Sequence, residues 1–136
     1  MEFVSVRVIT DDVERLAAFW EQVTGLPATR PAPVFAELRT SAGTIAIGAP
    51  ETVGMLGNAA PDPGRNHSVV VELRVDDVDA VRERLASLAP ESMPEIVLEP
   101  TDMPWGNRSM ILRDPDGGVV NIFAPVTLDA RARYDR

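Results

Sequence analysis

Cysteine is missing from this 136-residue chain and histidine occurs once, so the side chains that most often hold transition metals are nearly absent. A chain without cysteine has neither a disulfide framework nor a thiolate metal site, as is usual for cytoplasmic proteins. No apolar run is long enough to span a bilayer, and the opening stretch MEFVSVRV lacks the basic segment and apolar block of a signal peptide. We therefore expect a cytoplasmic protein with no membrane partner.

Basic residues are also scarce, because 13 Lys and Arg against 21 Asp and Glu give a formal net charge of -8. Nucleic-acid affinity depends on Lys and Arg contacts to phosphates, so this balance argues against a nucleic-acid partner. An acidic surface favours cationic ligands, although it also simply keeps a protein soluble. Phosphate-loop, dinucleotide-binding and nucleophile-elbow motifs are absent as well, which argues against the common nucleotide-binding and serine-hydrolase classes.

The chain does contain an internal repeat within an ordinary globular composition of 45% apolar and 25% charged residues. The stretch VRVITDDVERLAAFWEQV matches VELRVDDVDAVRERLASL at an offset of 65 residues, with Asp12 aligned on Asp77. Each copy is an alternating apolar strand, an aspartate suited to helix capping, and a helix with one apolar stripe. The predicted stripes are Val13, Leu16, Trp20 and Val23 in one copy and Val78, Val81, Leu85 and Leu88 in the other.

A second pair of segments repeats at an offset of 74, and each predicts a β-hairpin. LRTSAGTIAI (Leu38–Ile47) matches LRDPDGGVVN (Leu112–Asn121), in which Gly117 and Gly118 are expected to take positive φ. A short extra strand is predicted at Glu95–Glu99. Residues 49–66 are rich in Gly, Pro and Ala and predict a linker or mobile loop. The charged tail after Pro125 is expected to fray or form a short helix.

These features resemble the vicinal oxygen chelate superfamily of glyoxalases, bleomycin-resistance binding proteins and extradiol dioxygenases. The resemblance rests on the tandem βαβββ pattern, the helix ending in FWEQVTGL, and the motifs PWG and RDPDGGVVNIF, and it covers Phe3 to Pro125. It implies an α+β fold, in which two tandem βαβββ modules form a half-open mixed or antiparallel sheet around a cleft. It also implies a homodimer, swapped or side by side. We place one domain at 1–125 (module one 1–48, linker 49–66, module two 67–125), followed by a tail at 126–136.

Metal-using members of that superfamily hold their ion at four positions, two in each module. Carried over by the repeat, the resemblance places these positions at Ser5, Ile47, Val70 and Asn121. One hydroxyl, one amide and two aliphatic side chains are a poor donor set for a first-row metal, so we expect no metal and no cofactor. The single histidine, His67, is expected in a loop outside this set.

Strand alternation predicts which residues line the cleft instead. Arg7 and Glu72 occupy equivalent positions and are expected to pair, either as a structural salt bridge or to orient a ligand, with Glu72 and Arg7 as candidate catalytic groups. Trp105 is expected either to stack on a ligand or to lie in the core. Ile45 and Val119 are expected to add to an apolar floor. The predicted ligand-binding residues are Ser5, Arg7, Ile47, Val70, Glu72, Trp105, Arg108, Asn121 and Phe123.

Three functions remain open at this point, and the third is a non-catalytic interaction module whose cleft is filled by its own side chains. A mostly apolar pocket with a few polar groups favours metal-independent binding of a small, partly apolar, cationic or aromatic molecule, as in bleomycin-resistance-type proteins. The alternative is an enzyme of the same superfamily, a lyase, isomerase or dioxygenase. Such an enzyme would be metal-free with acid–base groups in the cleft, or else metal-dependent.

Overall fold

A computed structural model describes residues 1–135, which divide into two compact units. The first unit is Met1–His67 with Pro115–Gly117, and the second is Ser68–Asp114 with the residues from Gly118 onward. Each unit holds one four-stranded mixed sheet with a helix packed against one side. No helix within residues 1–135 is both long and apolar enough to cross a membrane. The predicted α+β class is confirmed.

The sheet of the first unit is formed by β1 Ser5–Ile9, β2 Thr29–Ala32, β3 Phe35–Arg39 and β4 Thr44–Gly48, with helix α1 at Val13–Thr24. The strand order is β1-β4-β3-β2, in which β1 runs parallel to β4 and the other neighbours are antiparallel. Helix α1 contacts β3 and β4. For each sheet we call the side packed against its helix the back, and the opposite side the front.

The second unit repeats this arrangement with β5 Val70–Arg74, α2 Val78–Ala86, β6 Glu95–Asp102, β7 Asn107–Arg113 and β8 Val119–Pro125. The strand order is β5-β8-β7-β6, with β5 parallel to β8, and α2 contacts β6, β7 and β8. The extra strand predicted at Glu95–Glu99 is therefore confirmed, and it extends to Asp102. A short 3-10 helix, Pro90–Ser92, leads into it.

Both repeated helices begin at the predicted aspartates. Asp12 Oδ1 accepts a hydrogen bond from Arg15 N at 3.0 Å, and Asp77 Oδ1 accepts one from Ala80 N at 3.1 Å. Each carboxylate satisfies a backbone N–H that has no partner inside its helix.

The apolar stripes of the two helices are buried to different extents. The whole predicted stripe of α1 is buried. In α2 only Val78 and Leu85 are fully buried, while Val81 is half-buried and Leu88 lies beyond the end of the helix at Ala86. The stripe of α2 is therefore shorter than the repeat predicted.

The strand register shows that the offset of the second repeat is one residue longer than the sequence indicated. Ser5 pairs with Thr44, and its repeat partner Val70 pairs with Val119, so β4 and β8 lie 75 positions apart rather than 74. A shift of one residue turns every side chain to the other side of a sheet. The prediction that Ile45 and Ile47 line the front is therefore wrong. They lie on the back with α1, and Ile47 is 0% exposed.

Two segments outside the repeat are more ordered than their composition indicated. Residues Pro50–Ala59 form a 3-10 helix with a kink at Gly57, and the buried Val53 anchors it, so the prediction of a linker without regular structure is wrong there. The tail forms a third α-helix, α3, at Leu128–Tyr134, one of the two outcomes expected for it. Its first turn is capped by Thr127, whose side chain accepts from Ala130 N at 3.2 Å.

The turn between β7 and β8 is built as expected apart from one glycine. Asp114 Oδ1 accepts a hydrogen bond from Gly118 N at 2.8 Å, and Gly118 O accepts one from Asp114 N at 2.8 Å. Gly117 takes the left-handed conformation with φ 87°, whereas Gly118 does not. A Cβ at Gly118 would instead come too close to the Asp114 carboxylate, so a side chain there would have to displace that carboxylate.

Candidate functional site

The front of the second sheet presents a carboxylate and an amide side by side. Glu72 on β5 and Asn121 on β8 are register partners, and Asn121 Nδ2 donates to Glu72 Oε2 at 2.8 Å. Asn121 is only 7% exposed, because it lies on a central strand, whereas Glu72 on the edge strand is exposed. Asn121 and Glu72 are thus held in a fixed relation on one surface, as alternation along the strands predicted.

Three polar atoms on this front are buried and have no hydrogen-bond partner among residues 1–135. They are Asn107 Oδ1, Ser109 Oγ and Asn121 Oδ1. The register places them on one side of the sheet, since Ile111 lies beside Asn121 and Ser109 lies beside Phe123. Sequence reasoning missed Asn107 and Ser109, although the polar residues two apart at the start of β7 were a visible signal of a strand with a polar side.

Helix α3 lies against the same front, beside Phe123. The rings of Phe123 and Tyr134 are 5.2 Å apart, and Arg74 Nη1 donates to Tyr134 O at 3.1 Å. Phe123 is on the predicted side of the sheet, but it is almost fully buried beside this helix. The tail therefore places the ring of Tyr134 against the front of the sheet, a contact that no sequence pattern indicated.

The first unit has a depression of about 410 Å³ on the front of its own sheet. Ser5 and Arg7 line it, as predicted from alternation. Ala46, the register partner of Arg7, stands where Ile47 was expected. Val4 also lines the depression. The other residues around it are Phe35, Glu37 and Thr44.

Arg108 does not lie on the front. Its guanidinium donates to Asp79 of α2 at 2.8 and 3.0 Å and to Asp102 at 3.0 Å, so it joins the sheet to the helix on the back. The hydrogen bond from Arg108 holds the pKa of Asp79 below its ordinary value. The prediction that Arg108 binds a ligand is therefore corrected, because two carboxylates already engage its guanidinium.

The remaining predicted residues lie at exposed positions. Trp105 is 56% exposed in the turn between β6 and β7, which excludes the core placement and leaves it available for stacking. Val70 is on the front of the edge strand β5 and is exposed. His67 is exposed in the loop before β5. The pairing of Arg7 with Glu72 would join the two units, and it stays a prediction.

Residues 2–122 match the family described as Glyoxalase/Bleomycin resistance protein/Dioxygenase superfamily. The chain belongs to this superfamily. The resemblance inferred from the repeat and its motifs is thereby confirmed.

Relatives within the glyoxalase/bleomycin-resistance superfamily are distant in sequence. Proteins named "Putative glyoxylase CFP32" from Mycobacterium bovis and Mycobacterium tuberculosis are each 27% identical over 122 residues, covering 87% of this chain and 42% of the relative. This chain thus spans less than half the length of those relatives. A family enzyme from Burkholderia phytofirmans PsJN shares 22% identity with a TM-score of 0.79, covering 93% of this chain and all of the other. TioX from Micromonospora sp. ML1 shares 21% identity with a TM-score of 0.69 and the same coverage. These structures support the fold alone.

The metal positions implied by the superfamily can be tested against the residues present. With the corrected register, the first unit supplies Ser5 and Ala46, and the second supplies Val70 and Asn121. The Asn121 amide nitrogen is already engaged by Glu72. No three His, Asp or Glu side chains in the described part of the chain are grouped so that they could hold a metal ion. One hydroxyl and one amide oxygen do not fit a first-row divalent metal.

Proposed function

We propose that this protein is a metal-independent small-molecule-binding protein of the glyoxalase/bleomycin-resistance type. Its ligand is a partly apolar molecule of cationic or aromatic character, held on the front of the second sheet. The observation that carries this proposal is Asn121. The resemblance to the superfamily puts it at a metal-ligand position, and in the structure it is 7% exposed and keeps an unpaired carbonyl oxygen on the front.

The chemistry around Asn121 supports a ligand of this kind. Ile111 lies directly beside it on β7. The next row of the front holds Val119 and Val70 together with Arg113, so apolar side chains adjoin the amide. A largely apolar lining with a few convergent polar groups is typical of small-molecule sites. The exposed Glu72 carboxylate and the formal net charge of -8 favour a positively charged ligand.

Binding measurements on matched variants test this function. A library of small aromatic and cationic compounds is screened by thermal shift, and hits are measured by titration calorimetry. Asn121→Leu is expected to weaken each genuine hit by roughly tenfold or more, since a buried donor left without its acceptor costs about 1–3 kcal/mol. Asn58→Leu makes the same change at an exposed position and should leave binding intact. Hits that tolerate Asn121→Leu as well as Asn58→Leu would place the ligand elsewhere.

The hydrogen bond between Asn121 and Glu72 also favours a second candidate, a metal-free enzyme of the same superfamily. An amide that orients a carboxylate at 2.8 Å is a suitable arrangement for a general base. In that case, Glu72→Gln should abolish turnover of a compound that still binds. Turnover that persists in Glu72→Gln would remove Glu72 from the reaction.

We also propose that the protein is cytoplasmic and forms a homodimer. Strand β1 is at an edge of the first sheet, and the apolar side chains of Phe3, Val4 and Val6 are exposed on it or just before it. Exposed apolar residues at an edge strand support self-association. Light scattering after gel filtration should give twice the chain mass, and Phe3→Glu should shift the protein towards monomer. A monomeric mass for the unchanged protein at every concentration would contradict the dimer.

A further inference from the structure

Three side chains, each with one unpaired polar atom among residues 1–135, form one continuous feature on the front of the second sheet, which we call the polar row: Asn107, Ser109 and Asn121. Their exposed fractions are 4%, 1% and 7%, so each side chain is more than nine-tenths buried. Asn107 and Ser109 are two residues apart on β7, so they share one side of the strand and are separated by about 6.6 Å. Ser109 and Asn121 are diagonal neighbours on adjacent strands, about 7–8 Å apart.

The orientation of the Asn121 amide makes its end of the row an acceptor. The carboxylate of Glu72 only accepts hydrogen bonds, so the amide nitrogen must point towards it, as the 2.8 Å contact records. The Asn121 oxygen is therefore directed away from Glu72. A ligand that meets this oxygen has to donate a hydrogen bond.

The polar row adjoins aromatic and acidic groups. Phe123 follows Asn121 two positions along β8 and is the register partner of Ser109, and its ring meets that of Tyr134 on α3. The aromatic pair of Phe123 and Tyr134 therefore stands directly beside the row. The exposed carboxylate of Glu72 lies on the other strand neighbouring Asn121. The carboxylate of Glu72 attracts cations next to the acceptors. The Tyr134 ring already has the guanidinium of Arg133 over it, 5.7 Å from the ring centroid, which shows that this aromatic pair accepts a planar nitrogen cation.

We propose that the ligand carries an amidinium or guanidinium group on an apolar or aromatic body, and that this group donates hydrogen bonds to the polar row. The inference rests on the proposed binding function and names its ligand class. A planar nitrogen cation presents N–H groups in diverging directions within one plane, so it reaches two separated acceptors at once. The body then lies over Ile111 and Val119, and the cationic group lies towards the aromatic pair. A carboxylate-bearing ligand is disfavoured, because it would bring acceptors to the Asn121 oxygen and negative charge to Glu72.

The test uses benzamidine, with benzoate and toluene as matched probes of the same ring. Each is titrated into the uniformly ¹⁵N-labelled chain, and the backbone and side-chain amide signals are followed. Benzamidine is expected to shift the side-chain amide signals of Asn121 and Asn107 saturably, and to bind at least about tenfold tighter than benzoate or toluene. Ser109→Ala should weaken benzamidine binding by about threefold to tenfold and leave toluene binding unchanged.

Ser109→Ala keeps the net charge, so a general attraction of cations to an acidic protein cannot produce this difference. Asn58→Leu serves as the exposed control, and the spectrum of each variant shows directly whether it is folded. If benzoate or toluene binds this front as tightly as benzamidine, or if Ser109→Ala leaves benzamidine binding unchanged, the inference fails while the proposed function stands. Saturable shifts confined to residues away from the polar row overturn it in the same way. Failure of the proposed function is recognised separately, by a library without any hit sensitive to Asn121→Leu.

Discussion

Single residues in this protein show how a sheet can carry polar groups at a cost to its stability. Ser109 and Asn121 lie on central strands of the second sheet, where apolar side chains would be buried without penalty. A buried polar group without a partner costs about 1–3 kcal/mol. Such groups are expected where binding, rather than stability, determines the residue.

Ser109→Ala tests this cost directly. The Ser109 hydroxyl is 1% exposed and has no partner within residues 1–135, so its removal should leave the free energy of unfolding unchanged or raise it by up to about 1 kcal/mol. Urea denaturation measures the change. Thr10→Val is the matched control, because Thr10 Oγ1 accepts from Asp12 N at 3.2 Å, and this variant should lose about 1–2 kcal/mol. A loss of more than about 1 kcal/mol in Ser109→Ala would mean that the hydroxyl is satisfied.

At the scale of elements, helix α3 depends on one close approach of the backbone. Gly106 has φ 93°, and a Cβ there would collide with the Thr127 side chain that caps α3. Val126 N and Thr127 N both donate to Gly106 O, so this glycine also holds the start of the helix. The placement of α3 on the front of the sheet thus depends on a glycine in the preceding hairpin.

Gly106→Ala should therefore destabilise the protein by roughly 1–3 kcal/mol, through backbone strain and displacement of α3. Thermal unfolding followed by circular dichroism measures the effect. Gly54→Ala is a suitable control, since nothing lies within 4 Å of the added Cβ and its φ is not positive, and it should change stability by less than about 0.5 kcal/mol. Equal stability of the two variants would contradict the importance of this contact.

An ion-pair cluster ties α1 to β2 and makes stability depend on pH. Arg30 bonds Glu14 at 2.8 Å and Glu21 at 2.7 Å. The hydrogen bonds from Arg30 lower the pKa of both carboxyls from 4.5, and a backbone bond from Ala28 lowers that of Glu21 further. Because the folded-state pKa values are lowered, the stabilisation is complete above pH 4.5 and is lost as the pH falls through the folded-state values.

Arg30→Gln should consequently lower stability at neutral pH, and the difference from the unchanged protein should shrink below pH 4.5. Urea unfolding at a series of pH values measures this difference. Arg65→Gln removes an exposed arginine that forms no ion pair with the described residues, so its effect should stay constant over the same range. If the difference in stability between Arg30→Gln and the unchanged protein grew towards acid pH, the lowered pKa values of Glu14 and Glu21 would be contradicted.

At the scale of the whole molecule, the two units keep a common scaffold but carry different front surfaces. Each has a parallel pair of strands, an aspartate-capped helix and an antiparallel hairpin. The first front carries Ser5, Arg7 and Glu37, whereas the second carries Glu72, Asn121 and the rest of the polar row. This divergence within a superfamily that includes metal-using members is consistent with binding through side chains alone.

Divalent metals should therefore leave the protein unchanged. A site with micromolar affinity would raise the stability by about 2.7 kcal/mol at a hundredfold excess over its dissociation constant, which a melting curve detects readily. We expect no shift with Zn²⁺, Ni²⁺, Mn²⁺ or Fe²⁺, and no loss of stability with a chelator. Stoichiometric metal in the purified protein, found by elemental analysis, would contradict the metal-independent proposal.

The local features of the fold were predictable from the sequence because they depend on neighbouring residues. The caps at Asp12 and Asp77, the stripe of α1, the hairpins and the front position of Asn121 follow from short-range periodicity and capping chemistry. Ile47 was misplaced because one inserted residue in a loop reverses strand parity, and no local pattern marks such an insertion.

Long-range packing determines which polar groups have partners, and no local sequence pattern shows it. No partner for Arg108 is evident in the sequence. In the structure, Arg108 Nε donates at 2.8 Å to Asp79 Oδ2, although the two residues are 29 positions apart. Tyr134 meets Phe123 only because α3 returns to the sheet. The sequence determines the strands and helices through periodic burial, whereas long-range packing determines which side chains remain unpaired on the front.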